Sequence, residues 1–354
     1  MDGPPVPISA TDAGSHRTPD PLAVAATIRG LVLPAQRRYV EQLMPSVAHV
    51  VGYHVGWLDE NGNDAIGRAG KSVRPVIAVL AARAAGLRET VAVRAAVAVE
   101  MVHHFSLLHD DVIDGDRERR HRPAAWTVFG TPAAILTGDA LLAGSVQLIA
   151  EIGGGHGRRA TELLVATVQE LVRGQSLDVA FERRRSVTPD EYSDMVHGKT
   201  ASLLSCAACL GPVLAGAPDS VTGGFAAFGS HLGMAFQLVD DLLGIWGDPA
   251  NTGKPVLADV HRRKKSAPVL AALNSGESGA RRLAELYDRP HALDADEAGE
   301  AAHLIEQCGG RHWAEAQAAR HTESALARLR SVGADPEQLT TLAALTSHFL
   351  RRDR

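Results

Sequence analysis

The stretch LLHDDVIDGDRERRHRP (107–123) crowds Asp110, Asp111 and Asp114 together and follows them with Arg119, Arg120 and Arg122. In a helix, Asp110 and Asp114 lie one turn apart, and Asp111 falls three residues before Asp114 on the same side. Carboxylates that close repel one another unless a cation sits between them. Their hard oxygens suit Mg²⁺, which is typically held by one or two carboxylates and completed by substrate phosphates. A second set lies in GMAFQLVDDLLGIWGDP (233–249), where Gln237, Asp240 and Asp241 stand at i, i+3 and i+4. One Asp–Asp pair is ordinarily a solvated helix end. Two sets, each closing an apolar helix and each followed by Lys or Arg, point to a Mg²⁺–diphosphate site.

The cations for such a site are at hand. Lys71 and Arg74 occur in GKSVRP, Lys199 in HGKTAS, and Lys254 with Lys264 in TGKPVLADVHRRKK. Arg offers a diphosphate bidentate geometry, and Lys a point charge. Both AIGRAGKS and MVHGKTAS end like a phosphate-binding P-loop. The glycine that loop needs five residues before its second Gly is replaced by Ala65 and Ser193, and neither stretch follows a buried strand. The alternation of Asp114, Asp116 and Glu118 also fails as a calcium loop, because Arg119 stands where that loop turns on Gly.

These residues must be positioned by helices. The chain has 354 residues, 45% hydrophobic and only 4% aromatic, with Ala, Leu and Val dominant. That balance favours close-packed helices over sheets. Apolar residues recur at three-and-four spacing in 74–86, 91–111, 133–152, 159–184, 199–211, 223–246 and 266–274. Breaks fall at GGGHG (153–157), TPDE (188–191), GAPDS (216–220) and GDPANTGKP (247–255). No convincing alternating strand is found. The region beyond Glu277 is more polar but also helical, with a break at CGGRH (308–312). The expectation is one all-α domain over 23–354, behind a Pro-, Gly- and Ser-rich disordered tail over 1–22.

The formal net charge of -5 argues against a nucleic-acid partner. No apolar run reaches the roughly 18 residues expected of a transmembrane segment. Three cysteines (Cys206, Cys209 and Cys308) are no disulfide framework and point to the cytoplasm. The CxxC formed by Cys206 and Cys209 reads as buried small residues.

Taken in order, GKxxRP, DDxxD with RRxxP, GQxxD, GKT, FQxxDD and GDPxxTGKP resemble the motifs of the trans-isoprenyl diphosphate synthases, the polyprenyl synthetase family, over nearly all of 30–354. The resemblance implies an all-helical bundle around a deep central cavity, usually a homodimer. It implies head-to-tail condensation of an allylic diphosphate with isopentenyl diphosphate. By that resemblance Asp110, Asp111, Asp114, Asp240 and Asp241 hold Mg²⁺, three ions per site. Arg119, Lys199 and Lys264, with Lys254 nearby, bind the allylic diphosphate. Lys71, Arg74, His103 and Arg120 bind isopentenyl diphosphate, while Thr200 and Gln237 lie near the developing carbocation. Three positions depart from the pattern: Gly244 replaces the third Asp of the second motif, His121 the Gly of RRG, and Leu257 the Gly before Asp259.

Phe105 and Ser106 lie a little over one turn before Asp110, where a growing chain would pass. A bulky Phe105 beside a small Ser106 resembles short-to-medium-chain synthases, with geranylgeranyl diphosphate the expected product. Two alternatives stay open: a class I terpene cyclase of the same fold, and a non-catalytic subunit of a heteromeric synthase.

Overall fold

The computed structural model describes residues 20–65, 72–248 and 256–350. Lys71, Lys254 and residues 1–19 of the tail expected over 1–22 lie outside the described residues. The tail boundary moves slightly, because Asp20 already caps a helix: its carboxylate accepts from the Leu22 N–H at 3.1 Å.

Helix α1 (Pro21–Val40) is followed by α2 (Pro45–Val55), α3 (Val73–Ala84) and α4 (Glu89–Ile113). A two-residue hairpin comes next, β1 (Glu118–Arg119) with β2 (Arg122–Pro123), which the period-two reading passed over because it is too short to alternate. Then come α5 (Ala125–Phe129), α6 (Thr131–Ala150), α7 (Gly154–Arg183) and α8 (Pro189–Val196). A π-helical turn (His197–Ala201) leads into α9 (Ser202–Leu214) and α10 (Asp219–Trp246). The remainder is α11 (Ala258–His261), α12 (Ala267–Leu273), α13 (Ser278–Tyr287), α14 (Ala295–Gln307), α15 (Gly310–Ser331) and α16 (Pro336–Leu350).

Four breaks read from the sequence, GGGHG, TPDE, GAPDS and CGGRH, hold helix starts, while GDPANTGKP follows the end of α10 and runs outside the described residues. Thr188 and Glu191 form a reciprocal capping box at α8, as Asp294 and Glu297 do at α14, each satisfying two otherwise orphaned N–H groups.

Helices α3, α4, α9 and α10 form the middle of the bundle. α4 packs on α3 and α6, and α10 on α9 and α15. Phe225 and Phe228 on α10 are fully buried, and truncating either to Ala would cost about 3–5 kcal/mol. Cys206, Cys209 and Cys308 are free and buried, and burial pushes the Cys206 thiol up to about 11. By length and composition α4 and α6 could each cross a bilayer, although polar residues such as Glu100 and Asp139 interrupt their apolar runs. Helix α4 is largely buried inside the bundle; α6 exposes Ile135 and Leu136.

Candidate active site

Helix α4 carries Asp110 and Asp111 in its last turn and ends at Asp114, whose N–H donates to the Asp110 carbonyl at 2.8 Å. The β1–β2 hairpin then folds back. Arg119 pairs across the ladder with Arg122, leaving Arg120 and His121 as a two-residue turn with φ of 53° and 63°. Positive φ at both central residues is what a type I′ hairpin turn requires. The turn is anchored by the Tyr53 hydroxyl, donating to the Pro123 carbonyl at 2.9 Å, and by the Arg122 guanidinium 4.3 Å above the Tyr53 ring. The return delivers Arg119 to Asp111: Nε donates to Oδ1 and Oδ2 at 2.7 and 2.9 Å, and Nη2 lies 2.6 Å from Oδ1.

Glycines bring the next cations in. A Cβ on Gly174 would lie 2.1 Å from the Lys199 backbone nitrogen, and one on Gly198 would lie 2.7 Å from the Glu170 carbonyl. Only glycine lets α7 and the π-turn cross this closely, which gives GQxxD and GKT their glycines. One turn beyond Gly174, Asp178 pairs with the Lys199 ammonium. Gln175 reaches from α7 to Asp114 Oδ1 at 3.4 Å. Burial raises Asp110 to about 6 against the opposing pull of Lys199, and burial raises Asp114 as well.

The next residue of the π-turn faces the second acidic set. Thr200 donates to Gln237 Oε1 at 2.8 Å, and Gln237 Nε2 donates to Asp241 Oδ1 at 3.0 Å. Asp241, 1% exposed, also accepts from the Tyr192 hydroxyl at 2.5 Å and from the Ala267 N–H at 2.8 Å. Lys264 Nζ lies 3.9 Å from Asp241 and 3.7 Å from Asp259. Burial raises Asp241 in spite of Lys264. The charge of Asp178 reaches Asp110 and Asp114 on one side and Lys264 on the other, so the two acidic sets share one electrostatic neighbourhood.

Beside them stands a basic group. Arg74 Nη1 lies 3.3 Å from His103 Nε2, and burial together with Arg74, His104 and Arg120 holds His103 well below the usual imidazole range. Ser106 is turned back on its own helix, donating to the His103 carbonyl at 2.9 Å. Phe105 is 6% exposed and packs edge-on against the His109 ring, centroids 4.8 Å apart.

Most of the residues singled out in the sequence therefore converge: Asp110, Asp111, Asp114, Arg119 and Lys199 on one side, Thr200, Gln237, Asp240, Asp241 and Lys264 on the other. Asp178 and Tyr192 were missed. Asp178 is the last residue of the GQxxD motif, while a lone Tyr in a polar helix gives no signal. Two open hollows, one lined by Arg38, Glu89 and Glu151 and one by Ala150, Gly154 and Val165, contain none of the expected residues. Among the described residues no three His, Cys, Asp or Glu side chains gather as a closed metal site. Carboxylate oxygens offered one or two at a time fit Mg²⁺ completed by phosphate oxygens.

The polyprenyl synthetase family matches residues 55–305. The chain is 42% identical to a (2E,6E)-farnesyl diphosphate synthase of Mycobacterium tuberculosis, over 99% of this chain and 97% of that protein. It is 41% identical to a geranylgeranyl diphosphate synthase of the same organism, over 90% and 91%. Its fold superposes on a polyprenyl synthetase from Streptomyces coelicolor A3(2) with a TM-score of 0.89 and 42% identity, over 93% of this chain and 99% of that one.

Proposed function

This chain belongs to the polyprenyl synthetase family and is a trans-isoprenyl diphosphate synthase, and from that premise we propose that it condenses isopentenyl diphosphate with an allylic diphosphate and delivers geranylgeranyl diphosphate. The observation that carries the reading is the π-turn. Its neighbouring residues Lys199 and Thr200 face the α4 and α10 acidic sets respectively, so one rigid turn holds both halves of a diphosphate site in register.

In this reading Asp110, Asp111, Asp114, Asp240 and Asp241 hold three Mg²⁺ ions. Bound Mg²⁺ supplies Lewis-acid neutralisation of the departing pyrophosphate. Arg119, kept in place by Asp111, binds the allylic diphosphate together with Lys199, Lys264 and Lys254. Arg74, His103 and Arg120, with Lys71, bind isopentenyl diphosphate; a cyclase would have no use for that group. Gln237, its amide fixed by Thr200 and Asp241, keeps an oxygen dipole near the developing carbocation. The proton lost after coupling goes to the departing pyrophosphate, and no protein nucleophile takes part.

Phe105 closes the path of the growing chain one turn before Asp110. A shorter, farnesyl product is the second reading, favoured by the farnesyl diphosphate synthase at 42% identity. The exposed Ile135 and Leu136 of α6 and Val165 and Val172 of α7 support a homodimer joined along that face. Free, buried cysteines fit a reducing cytoplasm. The chain from Asp20 onward acts as one helical domain behind the N-terminal tail.

Calorimetric titration with pyrophosphate tests the site. Binding should need Mg²⁺ and be lost in Asp110→Asn and Asp240→Asn; Mg²⁺-independent binding of equal strength would defeat the assignment.

A further inference from the structure

Gly244 sits one turn beyond Asp240 on α10, where the family's second motif has its third aspartate. The space is not empty. A Cβ built on Gly244 would lie 2.2 Å from Asp259 Oδ2 and 2.6 Å from its Cγ. Asp259 is 7% exposed and comes from α11, a different element. Leu257, with φ of 61°, makes the left-handed turn that starts α11 and sends Asp259 towards α10. The same Oδ2 is 3.7 Å from Lys264 Nζ, whose other carboxylate neighbour is Asp241 at 3.9 Å.

We propose that Asp259 supplies from α11 the third carboxylate that α10 lacks, and that Gly244 is the clearance that admits it. Asp259 is a positioning residue. Together with Asp241 it brackets the Lys264 ammonium and holds it towards the substrate diphosphate, while adding negative charge beside the Asp240–Asp241 pair. Gly244 and Asp259 form one unit: a side chain at 244 expels the carboxylate, and loss of the carboxylate leaves Lys264 held from one side only. This rests on the diphosphate-site reading above, and the test separates the two.

The experiment compares the full-length wild type with Gly244→Asp, Asp259→Ala, the Gly244→Asp/Asp259→Ala double variant and Asp259→Asn. Mg²⁺-dependent pyrophosphate binding is followed by calorimetry, the melting temperature without metal by calorimetric scanning, and kcat and KM by turnover. Each of Gly244→Asp and Asp259→Ala should weaken Mg²⁺–pyrophosphate binding by about 10–100-fold. The double variant should recover most of it, because one carboxylate again occupies the space. Asp259→Asn, nearly isosteric, should keep the melting temperature yet raise KM for the allylic substrate more than it lowers kcat. A double variant no better than the worse single one, or an Asp259→Asn protein that binds like wild type, overturns the proposal. A wild type that binds no pyrophosphate overturns the site reading instead, whatever the variants do.

Discussion

Tyr192 donates a 2.5 Å hydrogen bond to Oδ2 of Asp241, joining α8 to the acidic end of α10 in the buried interior. Asp241 is satisfied on all sides, by Tyr192, Gln237, the Ala267 N–H and Lys264. Removing one donor from a buried carboxylate leaves part of its desolvation uncompensated. Tyr192→Phe should therefore cost about 1.5–3 kcal/mol of stability, read by chemical denaturation. It should also weaken Mg²⁺–pyrophosphate binding about tenfold, read by calorimetry.

Arg119 and Asp111 predict a sharper loss. Asp111 is 1% exposed, and among the described residues Arg119 is the cation hydrogen-bonded to it. Arg119→Met strands that carboxylate and should destabilise the fold by about 3 kcal/mol. Arg119→Lys keeps the charge but not the fork. It should recover most of the stability and little of kcat/KM, a split that denaturation and turnover measured side by side will resolve.

Asp110 gives the site a pH dependence of defined sign. Burial raises its carboxyl to about 6. In the free protein a raised folded-state pKa adds stability at low pH that is lost as pH rises through about 6. Metal binding runs the other way, because the proton competes with Mg²⁺. Mg²⁺–pyrophosphate affinity should rise by about tenfold per pH unit up to about pH 6 and then level off. Asp110→Asn, which loses the binding, should remove the matching step in the pH dependence of the free protein's stability.

His121 and Leu257 stand where the family usually has glycine, and both keep left-handed φ, 63° and 61°. That conformation costs a non-glycine residue roughly 1–2 kcal/mol, partly offset by the greater unfolded freedom of glycine. His121 is exposed, so His121→Gly gives up no packing and should stabilise the protein by about 0.5–1 kcal/mol in thermal unfolding. Leu257→Gly should gain less, because the Leu257 side chain packs against the buried cluster around Ile245 and Val260.

Much of this was legible in the sequence. Three-and-four spacing located α3, α4, α6, α7, α9, α10 and α12 to within a few residues, but passed over α1, α2 and the short α5, α8 and α11. The same spacing placed Asp110 with Asp114 and Gln237 with Asp241 on shared faces, because a helix fixes neighbours one turn apart. What spacing could not give was pairing between elements. Lys199 with Asp178, Tyr192 with Asp241 and Gly244 with Asp259 each depend on how two helices cross, and no local pattern records that. The hairpin escaped for another reason: its only signature is backbone φ at Arg120 and His121, residue types that turns do not favour.

The most direct test is product analysis. Purified protein is given Mg²⁺, labelled isopentenyl diphosphate and, separately, dimethylallyl, geranyl or farnesyl diphosphate; the products are dephosphorylated and sized. The account predicts head-to-tail elongation ending at geranylgeranyl diphosphate, with longer products from Phe105→Ala. Hydrocarbon formed without isopentenyl diphosphate, or no incorporation of label with any primer, would contradict it.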